Sequence, residues 1–74
     1  MGWVNIKDSL PEENVTVLVI GKYLRQSNGD YLGPYMGCIK DGVWYDNTRI
    51  MFEPFYDIKI THWHSLPEFP KKMK

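Results

Sequence analysis

Apolar positions along this chain fall into short runs or alternate with polar ones, and nowhere do they keep a helical period over three turns. That pattern predicts strands. The strongest is Val15-Thr16-Val17-Leu18-Val19-Ile20, which is β-branched, almost uninterrupted and apolar on both faces, as a strand in the middle of a sheet should be. Gly21, directly after it, marks a bulge or a close approach of two backbones. A second strand is expected over Ile58-Lys59-Ile60-Thr61-His62-Trp63-His64. Successive strand side chains point to opposite faces, so regular alternation puts Ile58, Ile60, His62 and His64 on one face and Lys59, Thr61 and Trp63 on the other. Residues 15–20 and 58–64 are expected to lie side by side.

The remaining segments are organised by turn residues. Asp41-Gly42 between Tyr35–Lys40 and Val43–Asp46 is a strong hairpin signal, because both central residues of the tight turn need left-handed geometry. Asn28-Gly29 predicts either an outlying hairpin or a long loop over residues 22–36, with Gly33-Pro34 interrupting the return arm. Trp3–Ile6 reads as a short strand or extended arm, and Lys7–Asn14 as a turn, with Pro11 opening a single 3₁₀ turn at most. Ile50–Tyr56 is apolar without clean periodicity; a connection so hydrophobic is expected to fold back over the sheet or to form an interface. Pro67 and Pro70 end pairing after the last strand, and the basic tail Lys71–Lys74 is expected to fray. The predicted fold is a single mainly β domain over residues 1–74. It is a small antiparallel sheet of four to five strands with β-hairpins and at most a short helical turn.

Composition narrows the classes of function. A chain of 74 residues has a thin core, and an aromatic content of 15%, with three tryptophans and five tyrosines, supplies much of the area such a core needs. Rings in excess of that need favour a homo-oligomer. The single cysteine, Cys38, allows no disulfide within the chain, and no apolar run approaches the roughly 18 residues of a membrane span. We therefore expect an unexported, cytoplasmic protein with no membrane partner. Nine basic residues against nine acidic ones leave no dominant attraction to nucleic acid.

Candidate chemistry is sparse. His62 and His64, two apart on a strand, would present both imidazoles on one side; a zinc site would need a third ligand from Asp46, Glu53 or Asp57, and the spacing selects none of them. The competing reading, which we favour, is that His62 hydrogen-bonds near Trp3 and locks the sheet edge. Cys38 lacks a partner for nucleophilic catalysis and reads as a small core residue. The glycines form no phosphate-cradling loop ahead of a helix. What remains is a basic and aromatic set, Arg25, Tyr35, Trp44, Tyr45, Arg49 and Lys59, since guanidinium groups grip phosphates and rings stack on bases. No metal and no cofactor is implied.

The two ends of the chain carry a motif. Trp3, Ile6, Asp8, Leu10, Pro11 and Glu12 lead into Val17-Leu18-Val19, and Thr61-His62-Trp63 leads into Leu66-Pro67-Glu68. In this it resembles a short phage and prophage domain, domain of unknown function 551, whose pattern runs Trp-Ile-x-Val, Leu-Pro-Glu, Val-Leu-Val and Thr-His-Trp-x-x-Leu-Pro. Val4, Asn14 and His64-Ser65 depart from it. The resemblance implies a phage or prophage origin and a compact β-rich fold, and it implies no reaction.

Together these features lead us to expect a non-enzymatic binding protein that sequesters a nucleotide-like signal of host immunity in the host cytosol. The alternative is an inhibitor of a host protein acting through the hydrophobic segment 50–56. A small metal-dependent enzyme is a weaker third reading.

Overall fold

The computed structural model of the protein describes residues 2–25 and 29–67. It is mainly β: β1 (Val4–Asn5), β2 (Val17–Tyr23), β3 (Leu32–Lys40), β4 (Val43–Asp46) and β5 (Ile58–Ser65), with one short helix, α1 (Phe52–Tyr56), between β4 and β5. The strands form one open antiparallel sheet in the order β1-β5-β2-β3-β4. As expected, the strands that include residues 17–20 and 58–64 are neighbours, with β2 in the middle. The tight turn between β3 and β4 is also as expected, with Asp41 at φ 52° and Gly42 at φ 80°.

Several expectations are corrected. The central strand begins at Val17 and not at Val15. Residues 7–14 form turns without a 3₁₀ turn, within what was expected: Asp8 N and Ser9 N both donate to Asn5 O, and Asn14 turns the chain at φ 66°. Gly33-Pro34 lies inside β3, at the point where its pairing with β2 shifts register. The Asn28-Gly29 turn includes a residue outside the described range, and the tail 71–74 lies wholly outside it.

The most consequential correction concerns faces. Gly21 pairs with Ile60 while Ile20 pairs with His62, so β5 carries one extra residue, Thr61, at this level. The other neighbour of β2 does the same. Between the pairs Val19–Tyr35 and Gly21–Leu32, β2 advances two residues and β3 three, which absorbs Pro34 where a missing N–H is tolerated. An extra residue inverts the alternation beyond it. Ile58 and Ile60 therefore share the inner face with Trp63, and His62 and His64 share the outer face. Regular alternation would have buried both imidazoles beside Ile60.

The inner face holds the core. Val17, Val19, Ile58 and Ile60 are buried under Phe52 of α1, with Ile6, Leu32, Trp44 and Trp63 packed at the margins. The Trp63 indole donates to Ser9 O at 2.9 Å, which fastens the β1–β2 connection to this face. α1 is only five residues long, below the length at which a helix is stable by itself, so packing and local geometry must hold it. Pro54 falls in its first turn, where an amide donor would have no partner inside the helix. Asp57 ends it in the left-handed conformation at φ 61°, its N–H returning to Glu53 O. Asp57 O also accepts Leu24 N at 2.8 Å, tying the helix end to the end of β2.

Candidate functional site

The basic and aromatic residues separate into different places. Arg25 follows β2 and pairs with Asp57 at 3.3 Å, its side chain 88% exposed. Tyr35 and Trp44 are on the inner side of the sheet. Tyr35 lies 5.8 Å from the Phe52 ring and borders a hollow of about 340 Å³, while Trp44 shares a different hollow of about 230 Å³ with Lys59 and Glu53. Tyr45 and Arg49 do come together. With Asn14, Cys38 and Lys40 they line a cavity of about 210 Å³. Tyr45 pairs with Cys38 across β3 and β4, so this cavity opens on the sheet face that α1 leaves uncovered.

Arg49 is held in place by a carboxylate. Asp46 Oδ1 accepts from Thr48 N at 2.8 Å, Thr48 Oγ1 at 2.7 Å and Ile50 N at 2.9 Å, while Oδ2 accepts the Tyr56 hydroxyl at 2.8 Å. The loop is closed further by Asp46 N to Ile50 O and Arg49 N to Asp46 O. Arg49 sits on this coil at φ 73°, a conformation that non-glycine residues seldom adopt without such support. Asp46 thus organises both the Arg49 loop and the end of α1.

Burial works against the Asp46 charge, but the hydrogen bonds from Ile50, Thr48 and Tyr56 outweigh it and lower the carboxyl from 3.8 to about 2. The same bond raises the Tyr56 phenol above its usual value of 10.0. The sign follows from linkage: a carboxyl with a depressed folded pKa stabilises the fold above its unfolded pKa, and that stability is lost as pH falls through the folded one. Asp46→Asn should therefore lower the melting temperature at neutral pH by about 4–8 °C, the scale of a loss on the order of 1 kcal/mol in a domain of this size. The gap to the parent protein should close between about pH 4 and pH 2 in a series of thermal melts. An unchanged gap across that window would contradict the assignment.

The histidines are held locally. Thr61 Oγ1 donates to Ile20 O at 3.4 Å, so at its 2.8 Å contact with His62 Nδ1 the hydroxyl accepts and the ring donates. His64 Nδ1 donates to Ser65 O at 2.8 Å. The neighbour of Trp3 is His64, ring centroids 5.5 Å apart, whereas His62 meets Tyr31 edge-on at 5.6 Å with Lys22 Nζ 4.6 Å above that tyrosine. The Asp46 carboxylate is occupied by Tyr56 and the Arg49 loop, and the Asp57 carboxylate by Arg25. Among the described residues no three or more His, Cys, Asp or Glu side chains gather.

A model of a family described as proteins of unknown function, DUF551, matches residues 2–71. The chain belongs to the DUF551 family. No curated protein and no solved structure gives a significant match. In this DUF551 protein, sequence reasoning did not single out Asp46 as the organiser of the site. Its signal was present in Asp46-Asn47-Thr48, where an aspartate whose side chain accepts the N–H two residues on forms an Asx-turn. No helix among the described residues is long and apolar enough to cross a membrane.

Proposed function

We propose that this DUF551 protein is a non-enzymatic binding protein that holds a phosphate-bearing, nucleotide-like ligand in the cavity of Arg49, Lys40 and Tyr45. The observation that carries the reading is the lining itself: two cations and a ring converge there, and among the described residues no carboxylate joins them. A guanidinium binds phosphate oxygens in pairs, and a tyrosine ring offers a stacking surface for a base. A volume of about 210 Å³ accommodates the phosphate and part of a nucleoside, and a second copy lying across the same uncovered face would enclose the rest. In a phage or prophage, such a cytosolic protein would sequester a nucleotide signal produced by host immunity.

A second reading rests on α1. Phe55 of α1 is 69% exposed, Tyr56 and Ile50 of the same segment are exposed as well, and an aromatic anchor of this kind suits inhibition of a host protein. Calorimetry against cyclic nucleotides and ADP-ribose derivatives separates the two. The first reading requires saturable heat with at least one of them, and an affinity at least about tenfold lower for Arg49→Ala, as expected for loss of a charge-assisted hydrogen bond. Silence across the panel removes the nucleotide reading and leaves the protein-docking one.

A further inference from the structure

The hollow on the inner side of the sheet has a different chemistry from the Arg49 cavity. Three rings border it: Tyr35 from β3, and Phe52 and Tyr56 from α1. Their centroids are 5.8 Å apart for Tyr35 and Phe52 and 5.9 Å for Phe52 and Tyr56, with planes tilted by 44° and 54°, so the rings are not stacked flat; the buried Phe52 ring closes the floor between two exposed tyrosines. Ile58 adds apolar surface, and Asp46 stands at the margin; among the described residues no basic one lines the space. At about 340 Å³ the hollow lies at the small end of ligand sites, which span roughly 300–1,000 Å³.

We propose that this hollow binds an alkylammonium cation, either a free quaternary amine or a methylated lysine side chain. Aromatic faces carry the negative part of the ring quadrupole and attract a cation lying against them, while the aliphatic wall suits its methyl groups. The Asp46 carboxylate compensates the charge and is ionised throughout the neutral range. A primary ammonium fits less well. It needs acceptors for three N–H groups, and Asp46 Oδ1 already receives three donors while Oδ2 receives the Tyr56 hydroxyl. A methylated ammonium needs none. This site does not depend on the nucleotide reading, because it lies on the opposite side of the sheet from the Arg49 cavity.

The test is a proton NMR titration of choline with the full chain at constant ionic strength, run beside choline's neutral isostere, in which a quaternary carbon replaces the nitrogen. The expected result is a saturable upfield shift of the choline methyl signal, caused by the ring currents, with the isostere binding at least about tenfold more weakly. Tyr35→Leu, which keeps apolar bulk and removes one ring, should weaken choline at least about tenfold. The comparison of choline with its isostere uses the unmodified protein and stands whether or not that variant folds. A peptide carrying trimethyl-lysine forms a second arm; whichever of the two binds more tightly names the source of the cation. Equal affinity for choline and its isostere, or no saturable shift with either cation, overturns the proposal.

Discussion

Gly21→Ala should unfold most of the protein at room temperature. A Cβ at this position would overlap the Lys59 carbonyl oxygen and stand 2.9 Å from its carbon, and both atoms belong to the backbone of the adjacent strand. A flexible side chain can swing away from such a contact; a paired strand cannot. Gly21 has no left-handed φ, so the cost is steric and not conformational. Relief would require β5 to move off β2 at the bulge, which opens the most extensive strand pairing in the sheet. We expect a loss of about 3–5 kcal/mol, at the upper end for single substitutions and comparable to the whole stability of a small domain. Gly42→Ala is the contrasting case. Gly42 sits at φ 80° with open space around it, so a methyl group there meets only the left-handed penalty of about 1–2 kcal/mol. Urea unfolding of both variants checks the distinction, and a Gly21 variant no weaker than the Gly42 one would refute the account of the bulge.

That bulge also marks where the sequence stops being legible. The Asp41-Gly42 hairpin could be read directly because its determinants are local: two adjacent residues take left-handed φ and the chain must reverse. The central position of β2 was equally readable from a run apolar on both faces. The glycine at 21 signalled a bulge or a close backbone approach, and the structure shows both, but nothing local says that the extra residue falls at Thr61 on the partner strand. Without that fact the faces of His62, Trp63 and His64 come out inverted. α1 escaped because five residues cannot display a helical period. For the site, part of the answer was available. Trp44 and Tyr45 are consecutive on a strand and must point to opposite sides, so they could not serve one cavity. The engagement of Arg25 with Asp57 and the placement of Arg49 by Asp46 depend on how the chain returns over the sheet, which local pattern does not specify.

Phe52→Ala should be the second most damaging substitution, for reasons that join the core to both proposed sites. Phe52 is 2% exposed and is the one buried residue that α1 contributes to the core. The sheet is shaped to receive it. Gly37 lies beneath the ring, and a Cβ there would come within 3.1 Å of Phe52 Cε2, so the missing side chain of one residue is space for the other. Removing the ring leaves a cavity that the sheet cannot close, since strands β2, β3 and β5 beneath it are fixed by their own pairing. Losses for such truncations run to about 3–5 kcal/mol. The loss propagates outward, because α1 then loses its packing against the sheet and keeps only the hydrogen bonds at its end, and Tyr56 is held less firmly to Asp46. Circular dichroism and denaturant titration should show a much weakened fold for Phe52→Ala. Phe52→Leu, which refills part of the space, should be intermediate, its residual cost following the unfilled volume. A Phe52→Ala protein within about 1 kcal/mol of the parent would mean that α1 is held by the Asp46 and Asp57 hydrogen bonds alone, and that the inner face is not the seat of stability.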